Sequence, residues 1–338
     1  MLTENFHPIK LQPHVEVTLS TSNDTLIKCV LIFAEGIFEG ECHVVHPKEA
    51  FQSLSVPIYP PRDIPVDLHM KAFVGYRNSK NYHVYEYTRQ LPRFSMYCKV
   101  SESLGEQSQP EGYVAIKVNE RPARVAMWLN QNFLLNDDEV NPDEDGGLPN
   151  LVFLCLRNKP KELHFEMKSD MITIRADDMD LCGDMVQSLA DYLGVEDLPS
   201  ACDFPEEMGK IEHLLSTADE LQSVRQRLSS EMADQSGLIR TLIVRAEDSR
   251  LLSDTKSMKK WYSQLYDINQ DMVSGYKIRV NNHTELMETL KDVNQIIQKA
   301  GRLRAGKSKS RVITECRNAI KTNNVSLLLK IIKTGDVS

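Results

Sequence analysis

The 338-residue chain changes character at one place. All 15 prolines lie between Pro8 and Pro205, and all 10 phenylalanines lie between Phe6 and Phe204. The 133 residues that follow contain neither. Proline removes a backbone donor and clashes with the preceding helical turn. A long stretch without it, rich in Leu, Glu, Lys, Gln, Arg and Met, can run as continuous helix. The chain is therefore at least bipartite, with a boundary near residue 205.

Beyond that boundary the apolar residues keep helical spacing. Ile211, Leu214, Leu215, Ala218, Leu221, Val224, Leu228 and Met232 step by threes and fours. A second stripe runs from Met258 through Trp261, Leu265, Ile268 and Met272, and resumes at Leu286 after Asn281-Asn282-His283. Two helices of this kind would each be roughly 70 Å long. An antiparallel hairpin reversing near Ser253-Asp254-Thr255 would bury one stripe on the other. No Gly or Pro marks that turn, and the Asn-Asn pair is the competing bend. Two short helices are expected at 311–321 and 324–334, the second capped by Asn323 or Asn324 and stopped by Gly335.

Before the boundary the period changes. Strands are expected at 14–22, 26–34, 41–45, 54–59, 66–76, 82–88 and 94–100, with turn signals between them. Seven short strands at this spacing suggest an immunoglobulin-like β-sandwich. A Ser/Gly/Gln/Glu-rich linker at 101–112 would close it. Residues 113–204 mix periods: strands at 113–118, 151–156 and 171–175, a helix opening at Pro122, and a second helix capped by Asp177 or Asp178 and ended by Gly194. This reads as a small α+β domain. The expected domains are a 1–13 extension, a 14–110 sandwich, a 111–204 platform, a 205–303 hairpin, and a 304–338 basic connector with short C-terminal helices.

The net charge of −8 is unevenly spread. Residues 101–204 carry 8 basic and 21 acidic side chains, whereas residues 299–338 carry 10 and 2. The strongest electrostatic feature is the run Lys299, Arg302, Arg304, Lys307, Lys309 and Arg311, with no acid among them. Such a run suits an anionic membrane surface or an acidic partner, or is a solvated helix end. Nucleic acid is disfavoured because the rest of the chain is acidic. No apolar run reaches the roughly 20 residues that span a bilayer, and the first residues show no secretory signal. Seven scattered cysteines without CxxC spacing read as reduced thiols of a cytoplasmic protein.

Three motifs offer chemistry without its context. Gly301–Ser308 fits GxxxxGK[ST], with Lys307 and Ser308 as the phosphate-binding pair, but an amphipathic helix precedes it where a strand is required. Asn141–Gly146 imitates half of a calcium loop, yet Val152 stands where the bidentate glutamate belongs. Cys42 and His46 on one strand would stand about 13 Å apart, too far to share a metal ion. No catalytic residue, cofactor or metal is expected. Trp128, on a platform helix, is either a lining residue of a peptide groove or a core tryptophan.

Six segments carry a resemblance: 30–46 (VLIFAEGIFEGECHVVH), 63–76 (DIPVDLHMKAFVGY), 89–97 (RQLPRFSMY), 128–135 (WLNQNFLL), 276–285 (YKIRVNNHTE) and 298–307 (QKAGRLRAGK). In these the chain resembles the Bardet-Biedl syndrome 2 family over nearly its whole length. It resembles the C-terminal half of the family's architecture, without the β-propeller and coiled coil. The resemblance implies a γ-adaptin-ear-like sandwich, an appendage-like platform, a helical hairpin and C-terminal helices. It also implies a non-enzymatic BBSome subunit, acting with sister subunits and ciliary membrane-protein cargo at the cilium, ciliary membrane and basal body. In adaptor appendages an aromatic residue on a platform helix can contact peptides, the role this resemblance suggests for Trp128.

Overall fold

Period-two alternation builds the first layers. In the computed structural model, which describes residues 13–100, 109–135, 139–143, 147–157 and 161–336, six strands come first: β1 (Val15–Ser20), β2 (Leu26–Phe33), β3 (Cys42–Val45), β4 (Ser53–Ile58), β5 (Val66–Gly75) and β6 (His83–Leu91). β1 pairs with β4, and the other four form an antiparallel sheet in the order β3-β2-β5-β6. Along β5, Val66, Leu68, Met70, Ala72 and Val74 all point inward and are buried. They share core clusters with Val15, Val56 and Ile58 of the two-stranded sheet. The result is a sandwich of two antiparallel sheets, as the alternation implies.

The seventh expected strand belongs elsewhere. β7 (Tyr97–Val100) pairs with β9 (Leu148–Cys155) at the edge of a second sheet, ordered β12-β8-β11-β10-β9-β7. A tight turn diverts the chain after β6, with Ser95 N–H donating to Pro92 O and Tyr97 N–H to Phe94 O. Phe94 N–H then donates to Asn132 O, which holds the chain against the platform. The sandwich therefore ends before residue 94 rather than at 110. Residues 101–108 of the expected linker, and residues 1–12 of the expected extension, lie outside the described residues.

The second sheet also contains β8 (Tyr113–Lys117), β10 (Glu162–Lys168), β11 (Met171–Arg175) and β12 (Ser200–Asp203). Two helices accompany it, α1 (Pro122–Asn132) and α2 (Met179–Leu193). Pro122 opens α1. Asp178 accepts from the N–H groups of Asp180 and Leu181 at the start of α2, and Gly194 ends it at φ +70°, a backbone region that glycine enters without steric cost. Asp177, the other capping candidate, instead accepts from the N–H groups of Glu111 and Gly112.

Among the described residues, 204–336 form a separate compact unit with the helices α3 (Pro205–Leu251), α4 (Thr255–Arg302), α5 (Gly306–Lys321) and α6 (Val325–Thr334). α3 and α4 make the antiparallel hairpin, each about 70 Å long. The reversal lies at Ser253-Asp254. Ser253 takes φ +60°, and the Asp254 carboxylate accepts from the N–H groups of Lys256 and Ser257. α4 runs unbroken through Asn281-Asn282, where Asn282 is buried and its Nδ2 donates to Leu221 O at 3.2 Å. α5 starts at Gly306, five residues before expectation, because burial of Leu303 and Val312 shortens the connector to Leu303–Ala305. Asn324 caps α6 and Gly335 stops it at φ +80°. Among the described residues no helix is long and apolar enough to cross a membrane.

Candidate interaction surfaces

The platform core is aromatic. Trp128 is fully buried, and its Nε1 donates to Ser188 Oγ at 3.2 Å. Its ring meets Phe94, Phe133 and Phe165 at centroid distances of 6.5, 6.4 and 6.2 Å. Phe133 in turn stacks on Phe153 at 4.3 Å. The stripe Val125, Trp128, Leu129 turns α1 toward this core, so Trp128 lines no groove. Of the two roles offered for Trp128, the packing is that of a core tryptophan, with its apolar area spent on its neighbours.

Beside this core a polar cluster joins the sandwich to the platform. Arg157 Nη1 lies 2.7 Å from Asp63 Oδ1, and its Nε donates to Pro60 O at 3.3 Å. The Tyr97 hydroxyl donates to Asp63 Oδ2 at 3.3 Å. Burial raises the Asp63 carboxyl above its ordinary range, although Arg157 pulls the other way. Burial, then the Asp63 charge, pushes the Tyr97 hydroxyl up. Asp63 thus holds Arg157 and Tyr97 together at this junction.

Among the described residues, β6 is an outer strand of the four-stranded sheet with one paired neighbour, β5. All of β6 from His83 to Gln90 is exposed. Tyr85 stands opposite Ala72 and Tyr87 opposite Met70, so both rings share the face that is buried on β5. They remain 49% and 51% exposed.

The C-terminal basic run does not form one patch. Arg304 is completely buried, with Nη1 donating to Ala300 O at 3.2 Å and Nη2 to Ile332 O at 2.8 Å. It therefore ties the end of α4 to the end of α6, and its assignment to an exposed interaction surface is corrected. Burial reflects its place in the connector, between Leu303 and Ala305, both buried. Lys299, Arg302 and Lys309 are half-buried and engaged in other contacts. Arg311 pairs with Asp336 at 3.5 Å, and Lys307 is exposed.

The remaining motifs lose their chemistry. Gly301 lies inside α4, and a Cβ there would stand 2.8 Å from the Ile313 side chain of α5. That glycine serves close helix packing, and a helix rather than a strand enters the GKS segment. His43 stacks on Phe38 at 4.9 Å. Residues 144–146 of the calcium-like loop lie outside the described residues. Among the described residues no group of three His, Cys, Asp or Glu could hold a metal ion. Cys155, Cys182, Cys202 and Cys316 are buried, and burial pushes the Cys316 thiol up to about 12, which keeps it protonated and unreactive.

Four family models match in chain order. They are the BBS2 GAE domain at residues 9–94, the BBS2 platform domain at 97–193, the BBS2 hairpin at 205–302 and the BBS2 C-terminal helix bundle at 307–333. The chain belongs to the BBS2 family. Among relatives, the proteins named BBSome complex member BBS2 of Homo sapiens and Danio rerio are each 53% identical over 96% of this chain. BBSome complex member bbs-2 of Caenorhabditis elegans is 30% identical over 95%. The chain spans 45% of the length of the human relative, 44% of the zebrafish and 46% of the nematode one. Within the BBS2 family architecture, the break between GAE and platform matches falls at 94–97, where the chain passes from β6 to β7.

Proposed function

We propose that this chain is a non-catalytic structural and adaptor part of a BBSome, the coat-like complex for which its relatives are named. The reading rests on the 53% identity to BBSome complex members over 96% of this chain. The mechanism is interface burial: the exposed outer strand β6 and the half-exposed apolar residues of the hairpin pack against sister subunits. Ciliary membrane proteins are then carried as cargo of the assembled complex, at the cilium, its membrane and the basal body.

The test is affinity purification of the tagged chain from ciliated cells, with identification of co-purifying proteins. Recovery of sister BBSome subunits in stable ratios is expected. A folded, monodisperse chain that recovers none of them would overturn the reading. The basic run supports a secondary contact with anionic membrane through Lys307, with Lys299, Arg302, Lys309 and Arg311 contributing to the local field. Co-sedimentation with phosphatidylserine vesicles at low and high salt tests it, and identical sedimentation of a Lys307→Glu variant would count against it.

A further inference from the structure

The middle of the hairpin holds a groove of about 380 Å³ between its two helices. Arg225, Ser229 and Met232 line it from α3, at positions i, i+4 and i+7 that share a helix face. Arg279, Asn282 and His283 line it from α4. The Arg279 guanidinium lies against the Met232 sulphur and 5.9 Å from the centre of the Tyr276 ring. Among the described residues, neither Arg225 nor Arg279 meets a carboxylate.

Two further observations fall on the same band. Residues 221–233 and 273–284 carry Arg225, Arg227, Lys277 and Arg279 against the single acid Glu231. The flanking segment 205–220 has five acids and one base, and 285–298 has three and one. Residues 234–272 on the other side balance six bases against six acids, so the net positive charge falls on the groove band. The band also lacks a core of its own. No side chain of α3 between Ala218 and Leu242 is buried, and none of α4 before Asn282. Met232, Tyr276 and Val280 stay 41%, 62% and 43% exposed.

We propose that this groove docks an acidic amphipathic helix of a partner protein. Its carboxylates sit on Arg225 and Arg279, and its apolar stripe covers Met232 and Tyr276. A helix suits the place because two antiparallel helices present side-chain holes and no free backbone for strand pairing. Acidic character follows from charge complementarity, since a basic partner would meet like charge in a partly desolvated groove. This inference rests on the chain being a subunit of a larger assembly and names the chemistry of one contact within it.

The experiment uses the full chain and two fluorescent helical peptides of about 21 residues, three heptads long. Both carry the same Leu stripe; one is flanked by Glu, the other by Lys. Anisotropy titration is expected to show saturable binding of the Glu peptide, weakening with salt, and none of the Lys peptide. Arg225→Glu with Arg279→Glu should weaken it by about tenfold or more. Arg225→Lys with Arg279→Lys should retain it within about threefold. If the reversal melts early by circular dichroism, Arg225→Gln with Arg279→Gln provides the same comparison. Equal binding of both peptides, or indifference to reversal, would overturn the proposal. So would arginine-dependent capture of a phosphopeptide or anionic vesicles in place of the Glu peptide. Sister subunits co-purifying while the Glu peptide fails to bind would sink the groove alone. Saturable peptide binding without co-purification would sink the complex reading instead.

Discussion

Arg304→Met separates two roles for the C-terminal basic run. In the structure Arg304 is fully buried and donates from Nη1 to Ala300 O and from Nη2 to Ile332 O. The substitution keeps much of the apolar stem and removes both charge-assisted donors. Hydrogen bonds from charged groups contribute about 1.5–3 kcal/mol each, and two that share one guanidinium do not add fully. Roughly 3 kcal/mol of local stability should be lost. Because 1.4 kcal/mol is a factor of ten, amide hydrogens of α5 and α6 should exchange about 100-fold faster than in the wild-type chain. Exchange read by mass spectrometry on the full chain checks this, with peptides from the sandwich as an internal control expected to stay unchanged. If Arg304 were an exposed binding residue, the variant would lose partner or vesicle binding with protection intact. Unaltered protection across α5 and α6 would refute the clamp.

Trp128→Ala should destabilise the platform by about 3–5 kcal/mol, the usual range for deleting a buried aromatic, and a loss below about 1 kcal/mol in denaturant unfolding would contradict its place in the core. Ser253→Gly should stabilise the hairpin by about 1 kcal/mol, since Ser253 holds φ +60°, a conformation that costs a residue with a Cβ; an unchanged melting temperature counts against this. Asp63 has its carboxyl raised in the folded chain, so the protonated form is favoured by folding. Its contribution is present below pH 3.8, the ordinary value, and lost as pH rises through the raised one. Asp63→Asn should therefore flatten that slope, and at pH 7 it should cost about 1–3 kcal/mol, because it leaves the partly buried Arg157 cation without its carboxylate. A pH slope unchanged from that of the wild-type chain would contradict the raised Asp63 carboxyl.

Much of the architecture is legible in the sequence because it rests on local rules. The hairpin follows from the proline-free stripes, and the α2 cap and stop from Asp178 and Gly194. The reversal at Ser253-Asp254 is legible as a polar triplet, though the left-handed residue is a serine and not a glycine. What fails is non-local. β7 reads correctly as a strand, but its partner is β9, more than 45 residues away in sequence, and no pattern in 94–100 names that partner. β10 does alternate, with Leu163, Phe165 and Met167 buried between polar neighbours, and period-two reading could have found it. Arg304 fails for a different reason. Charge runs are usually solvated, and only the folded connector shows that this cation satisfies carbonyls instead.

The two units differ in what holds them, and the difference bears on function. The sandwich and platform bury their own cores, from Val15 to Cys202. The hairpin buries side chains near its base, from Met208 to Ala218 and from Asn282 to Gly301, but only Leu242 and Ala246 beyond. Helical propensity and a half-buried seam then have to maintain two helices of 47 and 48 residues. Most helical stability in proteins comes from packing an apolar face rather than from propensity. Asn282 adds a seam contact that prefers one register over others, at a cost in stability. A segment built this way specifies its alignment while leaving apolar area uncovered, which suits an element completed by a partner. Binding that covers Met232 and Tyr276 would stabilise the distal hairpin by mass action. Protection of residues 219–241 from exchange should therefore rise in the assembled complex while that of the platform core stays constant, and equal protection in free and assembled chain would show that the hairpin is already complete by itself.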